Sequence, residues 1–314
     1  MTRRILVYYP EAGEARAYAK RIRLPSRAFA VHVASTPEEA VGPAAEAEIF
    51  YCWNPPRSLL AGAARLRWIQ CMGAGVERLL VPELAPAVRV TRAAAIFGPW
   101  MAEYTLGWCL WVTQRMEGFR ASQREHRWAP VDPIPLRGQT LCVVGLGDIG
   151  RAIARAARAL GMRVIGVARS GRGPREAERV YRTRARRSAL ARADFVVLTV
   201  PLSAATRGLL GPAELAAMKK SAWLINIARG PIVDEPALLE ALRARRIGGA
   251  VLDVFDTEPL PPDHPLWAFD NVVITPHISG PSTPREIAPI FNDNLRRYVA
   301  GRPLRHAVDR ARGY

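Results

Sequence analysis

The sequence predicts an α/β protein built on mostly parallel sheets, and three observations carry that prediction. Short apolar runs alternate with helical segments along nearly all of the 314 residues. One such run, residues 141–144, enters a glycine-rich turn that opens a helix. The unusual polar residues Arg229, Asp253, Glu258 and His277 fall where later apolar runs end, the edge at which parallel sheets present their ligand sites.

The first part of the chain, residues 1–97, has predicted strands at 5–9, 30–33, 48–52, 68–72 and 88–90, with helical or turn segments between them. In it lies Cys71-Met72-Gly73-Ala74-Gly75-Val76-Glu77, a glycine turn just after a strand. Exposed N–H groups of such a turn can hold a carboxylate, and an ordinary strand-to-helix connection accounts for the same residues equally well.

Residues 99–119 read as one long helix with Pro99 in its first turn. Trp100, Met101, Tyr104, Leu106, Trp108, Leu110, Trp111 and Val112 cover nearly every side of it. A helix apolar all round is expected to be buried, between domains or against another subunit. Residues 124–130 and the proline-rich 131–135 read as an extended linker or arm, with His126 on its surface.

The motif Gly145-Leu146-Gly147-Asp148-Ile149-Gly150 follows the strand at 141–144. Gly145 permits a tight turn, Gly147 lets the backbone approach a pyrophosphate, and Gly150 lets helix pack on strand. The helix start offers unpaired N–H groups and a positive dipole end. Ile149, Ile153, Ala156, Ala157 and Leu160 then recur at helical spacing up to Gly161. A second strand at 162–168 completes the context that makes this a dinucleotide-binding motif. Strands at 195–200, 222–227, 249–254 and 272–275 continue a doubly wound sheet, and a helix runs from about 285 through 298.

Bulk composition bounds the function. The net charge of +17 suggests a nucleic-acid partner at first. Only Lys20, Lys219 and Lys220 are lysines among 45 basic residues, and the arginines spread along the whole chain. The densest run, 179–192, lies between two predicted strands with little aromatic interleaving. A solvated arginine-rich surface is therefore expected, with no nucleic-acid partner. Cys52, Cys71, Cys109 and Cys142 sit far apart without a CxxC pair, as buried hydrophobes of a reducing compartment do. No metal site, targeting segment or membrane span is expected, and a cytoplasmic location follows.

Cofactor choice rests on the end of the second dinucleotide strand, Val167-Ala168-Arg169-Ser170-Gly171-Arg172. An NAD site usually carries an acid there for the ribose hydroxyls. None is present, and Arg169 and Ser170 suit a 2′-phosphate, which favours NADP(H) over NAD(H). Further on, Arg229 stands in a strand-to-loop turn where a guanidinium can clamp a carboxylate. Glu258 follows in the next loop and His277 after the last strand. Reduction of a ketone by hydride creates an alkoxide needing a proton, which histidine donates aptly near neutrality. A neighbouring carboxylate favours the imidazolium and fixes its orientation.

These motifs in order resemble the D-isomer-specific 2-hydroxyacid dehydrogenases, the family of glyoxylate/hydroxypyruvate reductases, formate dehydrogenase and phosphoglycerate dehydrogenase. The resemblance spans nearly the whole chain: Gly145–Gly150, Val200-Pro201-Leu202 with Thr206, Asn226–Asp234, Leu252–Pro259 and Thr275–Gly280. It implies Arg229 as substrate binder, His277 as acid/base and Glu258 as its partner. It implies a Rossmann domain at 98–285, carrying a dimerisation helix and arm, and a flavodoxin-like substrate domain at 1–97 plus 286–314, with a cleft between them.

By the same resemblance the cofactor lies against Gly145, Gly147, Asp148, Ile149, Gly150, Arg169, Ser170, Pro201, Thr206, Ile227, Asp253 and Gly280. The backbone of Gly73, Ala74 and Gly75 holds the substrate carboxylate, and Trp53 lies near the substrate as in the glyoxylate/hydroxypyruvate reductase branch. A packed aromatic explains Trp53 as well, and His264 resembles a structural position. The expected protein is a homodimeric NADPH-preferring reductase of small 2-oxo acids. The rival readings are a dehydrogenase for a bulkier 2-oxo acid or phosphoglycerate, and a cofactor-sensing transcriptional corepressor.

Overall fold

The computed structural model describes residues 2–314, which form two compact units, one of residues 2–96 with Ser282–Tyr314 and one of Phe97–Pro281. In the first unit five strands alternate with helices: β1 (Arg3–Tyr8), α1 (Ala12–Ala19), β2 (Phe29–Ala34), α2 (Pro37–Glu46), β3 (Ile49–Cys52), α3 (Arg57–Ala61), β4 (Trp68–Cys71) and β5 (Arg89–Thr91). All pair in parallel in the order β2-β1-β3-β4-β5, the order of flavodoxin-like sheets. β3 and β4 are buried along their whole length because helices cover both faces of the sheet.

The second unit opens with α4 (Phe97–Thr113) and α5 (Met116–Arg124). Then come β6 (Thr140–Val144), α6 (Asp148–Ala159), β7 (Arg163–Ala168), β8 (Arg179–Arg182), α7 (Arg186–Leu190) and β9 (Phe195–Leu198). It closes with α8 (Pro212–Ala217), β10 (Trp223–Asn226), α9 (Glu235–Arg243), β11 (Gly249–Leu252) and β12 (Val272–Ile274). Its parallel sheet runs β12-β11-β10-β9-β6-β7-β8, with the strand order reversing between β6 and β9, as in a Rossmann fold.

The chain then re-enters the first unit as α10 (Pro284–Val299). Thr283 caps this helix by accepting from Glu286 N, and Pro284 fits the first turn, where no N–H partner is needed. Phe291 of α10 stacks on Tyr51 at 4.2 Å and on Trp68 at 5.4 Å, fixing the helix to β3 and β4.

Two expectations need correction. The helix expected over 99–119 is two helices, because Arg115 takes the left-handed conformation (φ 52°) and ends the hydrogen-bond ladder. Within the single chain, Met101, Ala102, Leu106 and Cys109 of α4 form a buried stripe, while Trp100 is 43 % exposed. The arginine run at 179–192 hides strand β8, whose edge position leaves only Tyr181 buried. All four cysteines are buried free thiols, as their apolar surroundings imply. Among the described residues no helix is long and apolar enough to cross a membrane.

Candidate active site

The glycine turn after β6 has the conformation its sequence calls for. Gly145 sits at φ 103°, and a Cβ there would lie 2.9 Å from Val200. A Cβ on Gly150 would lie 2.0 Å from the Gly145 carbonyl, so helix and turn approach as only glycine allows. Around Gly147, the residue before α6, a Cβ would meet nothing within 4 Å, and no side chain caps the helix. The α6 start, with Asp148 and Ile149 in its first turn, is thus an open anion site. Thr199 donates to the Gly145 carbonyl at 2.7 Å and holds the turn against the end of β9. These residues fit the diphosphate of a dinucleotide.

At the end of β7, Arg169 and Ser170 are exposed. The Ser170 hydroxyl accepts from Arg172 N at 3.1 Å within a tight turn closed by Gly171 at φ 68°. Beyond β9, Thr206 donates to the Pro201 carbonyl at 2.6 Å and accepts from Ser203 N at 2.8 Å, fixing the shape of that loop. Ile227 is buried at the end of β10. Gly280 lies against Met101 and Phe97.

Arg229, Glu258 and His277 follow β10, β11 and β12, three neighbouring strands of one sheet. The arginine turn is clamped by buried Asn226, whose side chain donates to the Arg229 carbonyl at 3.0 Å and accepts from Ala228 N at 3.1 Å. Arg229 Nη1 donates to the Ala228 carbonyl at 2.6 Å. Gly230 permits this loop to touch the glutamate loop, since a Cβ there would lie 2.1 Å from the Phe255 backbone.

Glu258 accepts from Phe255 N at 3.0 Å through one oxygen and meets His277 Nδ1 at 2.9 Å through the other. Burial alone would raise its pKa. The His277 and Phe255 hydrogen bonds, with the positive charges of His277 and Arg229, bring it below the usual carboxylate range instead. An ionised Glu258 accepts the Nδ1 proton, which leaves Nε2 for chemistry.

The backbone of His277 is held at φ 54°, a conformation that is costly without glycine and recurs at functional sites. Asp253 imposes it. This fully buried carboxylate accepts from Ile278 N and Ser279 N, both at 2.9 Å, while its main-chain carbonyl accepts from His277 N at 2.9 Å. Thr275 donates to Asp253 at 2.6 Å and meets the Tyr104 hydroxyl at 2.5 Å. Burial pushes the Tyr104 phenol up to about 12, so it stays neutral. The sequence reading missed Thr199, Asn226, Thr275 and Tyr104. Asn226 and Thr275 did carry a signal, since each is a polar residue at the end of an apolar strand.

In the first unit, Trp53 and the glycine turn after β4 are brought together. A Cβ on Gly73 would lie 2.0 Å from the Trp53 ring. Gly73 N donates to Cys71 Sγ at 3.4 Å, and that thiol donates to the Gly75 carbonyl at 3.4 Å. Gly73 thus spends its N–H within the turn, while Ala74 and Gly75 N–H have no partner among the described residues. His264 lies apart as a structural group, bonding Glu235 at 3.1 Å and accepting from Leu266 N at 3.3 Å.

Comparison with known proteins identifies the family of the chain. Residues 106–279 match the sequence model of the D-isomer specific 2-hydroxyacid dehydrogenase, NAD binding domain. The chain is 32 % identical over 274 residues to glyoxylate/hydroxypyruvate reductase A of Serratia proteamaculans, covering 83 % of this chain and 86 % of that protein. A D-isomer specific 2-hydroxyacid dehydrogenase family protein from Aeromonas salmonicida superposes with a TM-score of 0.91 at 35 % identity, covering 99 % of this chain and all of that one. The NADPH-dependent glyoxylate/hydroxypyruvate reductase of Sinorhizobium meliloti, solved with NADP and sulfate, superposes with a TM-score of 0.91 at 28 % identity over the whole of both chains. The chain belongs to the D-isomer specific 2-hydroxyacid dehydrogenase family and is an NAD(P)-dependent oxidoreductase.

Proposed function

We propose that the protein reduces small 2-oxo acids, glyoxylate and hydroxypyruvate foremost, to D-2-hydroxy acids, with NADPH preferred over NADH and His277 as acid/base. The observation carrying this reading is the His277–Glu258 bond of 2.9 Å, which joins the loops after β12 and β11, the Arg229 loop following β10 beside them. Bound at the glycine turn, the nicotinamide cofactor supplies a hydride to the carbonyl carbon. Arg229 clamps the substrate carboxylate and polarises the carbonyl. His277 Nε2 gives its proton to the developing alkoxide, while Glu258 orients the ring through Nδ1. A carboxylate-holding role for Gly73, Ala74 and Gly75 belongs to the same proposal, as does a substrate contact for Trp53. The free N–H groups of Ala74 and Gly75 support the former.

For the cofactor, the acid-free end of β7 with Arg169 and Ser170 supports a 2′-phosphate, and the Sinorhizobium relative is NADPH-dependent. Homodimerisation is part of the proposal, supported by Trp128 at 99 % exposure and by the half-open face of Trp100. A cytoplasmic location fits the four free thiols.

The test is oxidation of NADPH and NADH with glyoxylate, hydroxypyruvate and pyruvate, for the wild type and Arg229→Ala. Fast NADPH-driven turnover of the first two, with KM for the oxo acid raised about a hundredfold in the variant, is expected. Preference for NADH would overturn the cofactor assignment. An unchanged KM would remove Arg229 from substrate binding, and turnover only of bulkier oxo acids would overturn the substrate class.

A further inference from the structure

The first unit holds a cavity of about 450 Å³, walled by the loop after α1 and one side of α10. Five cations line it: Lys20, Arg21, Arg23, Arg285 and Arg296. No carboxylate does. Only Arg296 has an acidic partner, Asp293 at 3.5 Å, among the described residues. Gathering like charges is unfavourable unless an anion offsets them, and most of the 45 basic residues are spread elsewhere on the chain.

The basic wall is also held in place. Asn292, nine-tenths buried, accepts from Arg23 N at 2.9 Å and donates to the Arg21 carbonyl at 2.9 Å. One α10 side chain thereby pins the backbone of the loop that carries three of the cations. Ala288, 2 % exposed, anchors that side of α10 in the core.

We propose that this cavity binds a small polyphosphate anion, either inorganic or the phosphate chain of a nucleotide. Four of the five cations are guanidiniums, whose planar donor pairs match phosphate oxygens bidentately. A monocarboxylate such as the substrate would offset one charge of five, whereas a chain of three phosphates offsets nearly all of them. A single-stranded nucleic acid is disfavoured, because no aromatic side chain lines the wall for a base to stack on.

Isothermal titration of the NADPH-saturated protein with sodium tripolyphosphate tests this, the cofactor turn being filled beforehand. One saturable site per chain is expected, weakened by about tenfold or more in Arg285→Glu and in Arg21→Glu. Glutamate near the α10 start suits the helix dipole, and the Arg21 carbonyl still bonds Asn292, so both variants should fold. Arg65→Glu, the same charge change on an exposed arginine outside the cavity, should leave affinity within about twofold. ATP binding more tightly than tripolyphosphate would mark a nucleotide; equal affinity would mark the phosphate chain alone. Equal loss in Arg65→Glu, no saturable binding, or retention of a short single-stranded RNA without tripolyphosphate binding would each overturn the proposal.

Discussion

Two histidines of the second unit each bond a glutamate, and the contrast between them shows what makes one suited to chemistry. His264 meets Glu235 at 3.1 Å through Nε2, while its Nδ1 accepts from Leu266 N. Both ring nitrogens are spent and the side chain is 15 % exposed. His277 meets Glu258 at 2.9 Å through Nδ1, is 39 % exposed, and leaves Nε2 uncommitted. The backbones differ too. His264 is extended (φ −66°), whereas His277 is held at φ 54° by the Asp253 network. Distance to a carboxylate is therefore a poor guide to function; the uncommitted nitrogen and the imposed backbone separate the two.

Substitutions at the two sites should sharpen this contrast. His277→Asn is expected to lower turnover by about 10²–10⁴-fold with the fold and NADPH affinity retained, because asparagine tolerates positive φ and removes only the proton donor. Steady-state kinetics with a cofactor titration checks it, and near-normal turnover would end the acid/base assignment. Asp253→Asn should follow at about a hundredfold, since the amide no longer accepts from both loop N–H groups and the histidine loop shifts. Its kcat should fall well ahead of any change in melting temperature.

Glu258→Gln gives a pH signature. Against burial, hydrogen bonds from His277 and Phe255 N hold the native Glu258 carboxyl below its ordinary range, so its ionised form contributes stability above the ordinary carboxylate range. That contribution is lost as pH falls through the lowered native value. The melting-temperature gap between wild type and variant should thus narrow on acidification, and a gap that widened would contradict the ion pair. The smallest kinetic effect belongs to His264→Ala: a stability loss of about 1–2 kcal/mol from the Glu235 bond and the Leu266 cap, with kcat unchanged. A large kcat loss there would erase the distinction between the two histidines.

Most strands were legible because each is a short β-branched or aromatic run bounded by turn residues, as in Ile49-Phe50-Tyr51-Cys52. The glycine motif was legible because steric need at Gly145 and Gly150 leaves one residue type. Strand β8 was not, since an edge strand with one buried side chain has no apolar run to read. The break at Arg115 was invisible because nothing in Thr113-Gln114-Arg115-Met116 demands a left-handed residue. In the site, Arg229, Glu258 and His277 stood out as polar residues after apolar strands. The brace behind them did not, because Tyr104 and Thr275 lie 171 residues apart and meet only once the sheet has formed. Asp253 was read as a cofactor neighbour, and its side-chain hydrogen bonds all go to the loop of His277.

Beyond His277, that brace grips the main-chain N–H groups of Ile278 and Ser279 and leaves their side chains alone. Ile278, whose amide Asp253 holds, leaves its own side chain 55 % exposed. Substitution at residue 278 can therefore alter what stands beside His277 while its backbone bonds stay as they are. The exposed surface of this loop and the backbone position of His277 can thus vary independently.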